Sequence, residues 1–443
     1  MKIRKILAAI TSVALVGTML AGCNNDNTSG NSNNSPSGNN GSTSNDNNGS
    51  TPAATENPEK DVTLKVWYSQ AEKDMIEKMC DEFAKAHPDQ NITFEYGVCE
   101  GNNAKEQIQK DPEAAADVFF YAPDHTAEMV ASKVISEVTR NKDDIVNRNL
   151  KPSIDNVTVD GKLYGYPVNS KTYFMYYNKS MFTEDEVKDL DTMLAKDIEG
   201  VQYNFCMPLL DSWYTPSVFF AAGCNLMGEN GDDPTSCDFN SDKGVNAANT
   251  MIDLFANSKF SPDKAEFTEQ YKDLFAQGKM AACVIGTWKA ADFQEALGEN
   301  YGVTVLPQIT LADGTKAQLS GFSQYNAVGV KAGSKFPITA MDLADYLTNK
   351  ENQKIRFDTI SDSPTNKELA EDSAALSSNA AVAANAAQCA YTKLQSSVSQ
   401  MGKYWANMDS FTAEIKSGVV TKDNVKEKLD VTVEAILSTG LSD

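Results

Sequence analysis

GKLYGYPVNSKTYFMYYNK, residues 161–179, is the stretch on which the reading of this chain turns. It holds two apolar runs, Leu163 to Val168 and Tyr173 to Tyr177, separated by Asn169, Ser170, Lys171 and Thr172. Aromatic and β-branched side chains packed into so short a span favour strands over helix. Pro167 removes one ladder donor, which places the first run at a sheet edge or ends it there. Two arrangements fit: an ordinary hairpin inside one sheet, or a passage from one structural body to another. In the second, the small polar residues absorb a backbone rotation.

Working outward, the flanks are α/β in pattern. Upstream, VTLKVW at 62–67 alternates as a strand does, and SQAE at 69–72 has the spacing of a capping box. Met75, Ile76, Met79, Cys80, Phe83 and Ala84 then recur at the helical period, up to His87-Pro88. Strands are expected at 92–96 and 117–121, and a helix over 126–138. Strand alternating with helix in this way implies a parallel sheet. Downstream, helices are expected at 184–196, 243–256 and 268–277, and strands at 203–207, 280–285, 301–306 and 325–330. The remainder is mostly helical, with an alanine-rich helix over 374–390 whose side-chain packing is weak.

The amino end carries export information rather than fold. Residues 1–5 are basic and 6–19 apolar, and Leu20-Ala21-Gly22-Cys23 follows. That is the plan of a secretory signal, with an apolar core too short for a comfortable membrane span. Its ending resembles the lipobox of bacterial lipoproteins, which makes Cys23 the lipid-bearing first residue of the mature chain. Residues 24–59 are mostly Asn, Ser, Gly, Thr and Pro with little to bury, the composition of a flexible tether. Anchor and tether together imply a body held at the outer face of a membrane.

At 443 residues the chain is long enough for two sizeable cores. Its net charge of −22 argues against nucleic acid and against lying flat on anionic lipid. Two histidines, His87 and His125, poorly supply triads or histidine-rich metal sites. No C-x-x-C, Walker or dinucleotide fingerprint is present, so no cofactor or metal is expected. The acidic loop 229–242 lacks the EF-hand spacing and reads as a solvated turn. Seven cysteines remain besides Cys23, an odd number, and Cys224 with Cys237 flank a Gly- and Asp-rich turn that a disulfide would close.

Several separated stretches agree with one family. Tyr301-Gly302-Val303-Thr304-Val305-Leu306-Pro307 resembles a strand segment of maltose- and maltodextrin-binding proteins. Leu64 to Trp67, Asp117 to Ala122, the 161–179 block, Gly286-Thr287-Trp288 and Met401-Gly402-Lys403-Tyr404-Trp405 match further segments in the same order. The resemblance implies an α/β fold of two discontinuous lobes, joined by crossing segments at Asn169 to Lys171 and Gly321 to Gln324, with sugar held between. One lobe would combine 61–169 with 325–372, the other 172–320 with 373–443, after a signal peptide at 1–22 and an anchor and tether at 23–60.

The implied function is a lipid-anchored, extracellular, monomeric binding protein. It would deliver an oligosaccharide of the maltodextrin class to ABC transporter permease subunits, and it would not be an enzyme. A secreted glycosidase and a surface glycan adhesin are the alternatives. By the resemblance, Trp288 and Trp405 match two aromatic sugar platforms. Tyr121 stands where relatives often have tryptophan, and Trp213 with Tyr214 resembles an aromatic pair preceded by Asp211 in place of a glutamate. Asp124 matches a hydroxyl acceptor, with His125 replacing an arginine, and Lys171 falls where a glutamate is common. The physical logic is general: aromatic faces pack on the C–H face of a pyranose, while carboxylates and amides take its hydroxyls.

Overall fold

The computed structural model describes residues 59–263, 269–372, 374, 376 and 378–439. The export signal, Cys23 and the tether lie outside the described residues. The two runs of the 161–179 block enter different sheets. Tyr166–Lys171 joins a sheet ordered Ser363–Pro364, Tyr166–Lys171, Gly321–Val330, Val118–Tyr121, Asp61–Tyr68, Asn91–Val98. Phe174–Asn178 joins another, ordered Tyr301–Thr304, Phe174–Asn178, Ala282–Ile285, Phe205–Cys206, Phe260–Ser261. Only Thr172 and Tyr173 lie between the two strands, so the stretch is a passage and not a hairpin.

Each sheet has its own core. Val62, Leu64, Val66, Phe119, Val168 and Val328 belong to one, with the helices Lys73–Ala86 and Pro337–Leu347 packed on it. Met175, Tyr177, Phe205, Val284, Met408 and Leu429 belong to the other, with Asp242–Ala256, Met401–Lys416 and Val425–Leu437. These are the two lobes. Neither sheet is purely parallel: Gly321–Val330 runs antiparallel to both of its main neighbours, and Phe174–Asn178 antiparallel to Ala282–Ile285. Strands that arrive from the other lobe are freed from the right-handed crossover that enforces parallel pairing.

The crossing is stiffer than a loop. Gln324 pairs with Lys171, Tyr325 with Ser170 and Asn326 with Asn169, before a register shift at Asn326/Ala327. A third passage runs from Ser363–Pro364 to the helix Ala380–Cys389, spanning the 372/373 division that the resemblance implied. That helix is better packed than its composition suggests. Ala381 and Val382 are buried, Gln388 Oε1 accepts from Leu306 N at 2.7 Å, and Asn385 grips the crossing. Asn385 Oδ1 accepts from Thr172 N at 3.1 Å, and its Nδ2 donates to Ser363 Oγ at 2.9 Å.

Three local expectations are corrected. Ser69 makes no side-chain hydrogen bond to the helix amides; Glu72 instead pairs with Arg356 and keeps a side-chain interaction with Ser69. The helix expected over 126–138 stops at Ala131, and Lys133 turns left-handed (φ 58°) so that Val134 and Ile135 can be buried. Cys224 and Cys237 are buried free thiols; a Leu226–Cys237 bridge closes the turn by main-chain pairing without a disulfide.

Candidate ligand-binding cleft

The second lobe presents tryptophans on a bed of other aromatic rings. Phe322, on the crossing strand Gly321–Val330, has Trp213 at 5.6 Å on one side and Trp405 at 6.0 Å on another. Tyr173 stands edge-on to Trp213 at 5.9 Å, and Tyr404 edge-on to Trp405 at 4.9 Å. Trp213 and Trp405 are half-buried against this cluster, so each keeps part of its surface outside the core. The main-chain N–H of Trp213 donates to Asp211 Oδ1 at 2.9 Å, which holds the backbone of the turn that carries it. Trp288 sits apart in the short turn Thr287–Lys289 and is 46% exposed, unusual for so large an apolar ring.

The first lobe faces this group with polar atoms. Asp124 and His125 occupy the turn Pro123–His125 at the start of the helix Thr126–Ala131. Burial pushes the Asp124 carboxyl up to about 7, although Lys105 and the nearby Trp405 indole favour its charged form. Burial likewise lowers the His125 imidazole to about 4. The 3.8 Å approach of His125 Nε2 to Asp124 is therefore no ion pair near neutral pH, since the imidazole carries no charge. The true pair here is Lys105 with Glu128, at 2.6 Å. Glu128 Oε1 also lies 3.4 Å from where a Cβ on Gly402 would stand, so the two lobes touch beside Trp405.

Lys171 ends its crossing strand beside Glu72. Burial raises the Glu72 carboxyl, but Arg356 and Lys171 outweigh it and hold the group below the usual carboxylate range. Arg356 is itself buried between Glu72 and Asp362, and Asp362 accepts from Asn169 Nδ2 at 2.7 Å. None of this network was visible in the sequence: Glu72 and Arg356 stand 284 positions apart.

Two of the expected aromatics are buried in this structure. Tyr121 is 1% exposed; its Oη is within 3.4 Å of Thr126 Oγ1 and fills the space above Gly165, so it has no face to offer a ligand. Tyr214, 5% exposed, packs on Tyr173 at 4.7 Å and supports the bed rather than presenting a platform. Phe322 is the residue that sequence reasoning missed, and its place in a crossing segment was the only signal available. A cavity of about 600 Å³ elsewhere in the second lobe, lined by Asp191, Leu194, Thr250 and Asp253, borders none of these residues. Among the described residues, no cluster of His, Cys, Asp and Glu is arranged to hold a metal ion.

Comparison with known proteins adds the following. A family model described as bacterial extracellular solute-binding protein matches residues 78–384. The galactooligosaccharide-binding protein of Bacillus subtilis is 27% identical over 395 residues, covering 86% of this chain and 90% of that protein. A maltooligosaccharide ABC transporter solute-binding lipoprotein of Streptococcus pneumoniae is 25% identical over 390 residues, covering 82% and 89%. Among solved structures, one with acarbose superposes with a TM-score of 0.78 at 32% identity, covering 84% of this chain and 98% of its own. The unliganded maltodextrin-binding protein MalE1 of L. casei superposes with 0.76 at 27% identity, covering 85% and 99%.

Proposed function

As this chain belongs to the bacterial extracellular solute-binding proteins, we propose that it captures a neutral oligosaccharide of the maltodextrin class between its lobes and delivers it to the permease subunits of an ABC importer. The observation that carries the reading is the pair Trp213 and Trp405 on their Phe322 bed, with Asp124 of the other lobe beside Trp405. A pyranose needs that combination of apolar face and polar rim. Trp213, Trp288 and Trp405 are the platforms, and Asp124, Asp211 and Lys171 serve the hydroxyls. Relatives named for maltooligosaccharide and a structure solved with acarbose support an α-glucan.

A second ligand class has its own support. The relative named for galactooligosaccharide aligns with this chain over 90% of its own length. Lys171, where maltodextrin binders commonly carry glutamate, alters the polar side of the site in a way that would change hydroxyl preference.

The lobes divide at the three crossings, with 61–169 and 325–372 in one and 172–320 and 373–443 in the other. Ligand holds them closed, because contacts to both lobes are gained only together. Cys23 anchors the monomer to the outer face of the membrane through the tether. Calorimetric titration with maltotetraose and with a galactotetraose, alongside product analysis after long incubation, tests the proposal. Tight one-to-one binding of one sugar without shorter products is expected. Hydrolysis would point to the glycosidase alternative, and no heat with either sugar would remove the reading.

A further inference from the structure

Three crossings join the lobes, and one buried amide ties them together. Asn385 belongs to the helix Ala380–Cys389, which is built into the second lobe. Ala381 and Ala384 of that helix share a core with Phe174 and Tyr176, and Gln388 Oε1 accepts from Leu306 N. Asn385 Nδ2 donates across to Ser363 Oγ at 2.9 Å and lies 3.5 Å from Ser170 Oγ, both on strands of the first lobe's sheet. Its Oδ1 accepts from Thr172 N at 3.1 Å, at the point where the chain leaves that sheet. Thr172 Oγ1 donates in turn to the main-chain oxygen of Phe322, on the second crossing, at 2.7 Å.

Every group in this chain of bonds is shut away from water: Asn385 is 1% exposed, Thr172 0% and Phe322 2%. The amide has one workable orientation, since turning it over would set its NH2 against the Thr172 N–H, donor against donor. Ser363 and Asn385 stand at the two ends of the third crossing, one in each lobe, so a rotation between the lobes changes their separation. A buried polar group that loses its partner pays its full desolvation cost, which disfavours departure from the observed arrangement. In that arrangement the lobes touch beside Trp405, where Glu128 meets Gly402. The same bonds end under the platforms, because Trp213 and Trp405 pack on Phe322.

We infer that Asn385 is a positioning residue for ligand capture: its clasp holds the lobes in the touching arrangement before ligand arrives, so that affinity is set in part at the crossings by a side chain that does not meet the sugar. The inference rests on the reading of the cleft as an oligosaccharide site. A protein whose binding-competent arrangement is only fractionally populated binds more weakly by that fraction. Removing the clasp lowers the fraction and leaves each tryptophan in place.

The test compares wild type with Asn385→Leu, with Ser363→Ala, and with Gln388→Met as a control that breaks a buried bond of the same helix inside one lobe. Each protein is the full chain from residue 23 with Cys23→Ser, so that no lipid is attached and the tether adds equally to every sample. Affinity is measured by calorimetry with maltotetraose or galactotetraose, whichever wild type binds, and the radius of gyration by small-angle scattering with and without that sugar. Asn385→Leu is expected to bind about tenfold more weakly. Without sugar it should show a larger radius than wild type, and saturating sugar should remove the difference. Ser363→Ala should move both quantities the same way by less, while Gln388→Met binds and scatters like wild type even if it melts lower. Wild-type affinity or a wild-type unliganded radius in Asn385→Leu would overturn the inference, as would equal changes in Gln388→Met. If Asn385→Leu does not fold, Ser363→Ala is read by the same criteria, since it keeps the helix and the Thr172 bond. If wild type takes up neither sugar, the cleft reading fails separately, and the unliganded radius alone decides: larger in Asn385→Leu upholds the clasp, unchanged overturns it.

Discussion

The ring of Trp288 lies over Gly286 so closely that a Cβ on the glycine would stand 1.9 Å from it. Gly286 is extended (φ −93°, ψ −168°), a conformation open to any residue, so glycine is needed there by the ring and not by the backbone. Its carbonyl accepts from Tyr176 Oη at 3.0 Å, which fixes the floor. Gly286→Ala is expected to unseat Trp288, lowering sugar affinity about tenfold or more. The apo melting temperature should change little. Calorimetry with unchanged affinity would show that the position of this ring does not matter for binding.

Trp288 and Trp405 should respond differently to truncation. Removing a binding anchor costs about 2 kcal/mol, roughly thirtyfold in affinity. Trp288→Ala should show that loss with a nearly unchanged apo melt, because the side chain is 46% exposed. Trp405 packs on Phe322 and Tyr404, so Trp405→Ala should lower both affinity and stability. Full affinity with a large fall in melting temperature would mark either tryptophan as core.

The fold was legible in the sequence and the site only in part, for one physical reason. Strands such as Asp61–Tyr68 and helices such as Lys73–Ala86 announce themselves by local periodicity, and the crossing at 169–171 by small polar residues between two apolar runs. Burial of a single ring is not local. Tyr121 sits in a stretch whose side chains are all buried, and the pattern VFFY at 118–121 could not say whether its last ring turned inward. The Asn385 grip was hidden because an alanine-rich run looks weakly packed until its polar residues find partners on strands far away. The charge network around Arg356 joins segments that no window of sequence contains together.

That network supplies a stability test. Arg356 is 1% exposed and paired with Glu72 and with Asp362 at 2.6 Å. Arg356→Leu would strand buried carboxylates, a loss of about 3–5 kcal/mol. Adding Asp362→Asn should recover part of it. Urea denaturation of the two variants measures both steps, and a loss below about 1 kcal/mol for Arg356→Leu would show that solvent reaches the cluster.

Asp124 and His125 should give opposite pH signatures. The Asp124 carboxyl is raised to about 7, so over roughly pH 4–7 the folded state holds a proton that the unfolded state has lost, and stability falls as pH rises. The His125 imidazole is lowered to about 4, so between about pH 4 and 6.5 the unfolded state holds the extra proton, and stability rises with pH. Lys105, Glu128 and Trp405 face the same turn and are retained in both variants. Relative to wild type, Asp124→Asn should steepen the rise over pH 4–6.5, and His125→Gln should tilt the profile downward. Parallel profiles for all three proteins would show that neither group is desolvated.

The central claim, a neutral sugar held on tryptophan faces between the two lobes, is tested most directly by titrating maltotetraose into wild type and Trp213→Ala in the same calorimeter. One-to-one binding by wild type, weakened about thirtyfold in the variant, is the expected result, with some fall in the apo melt because Trp213 packs on Phe322 and Tyr173. Equal affinity in the two proteins would contradict it.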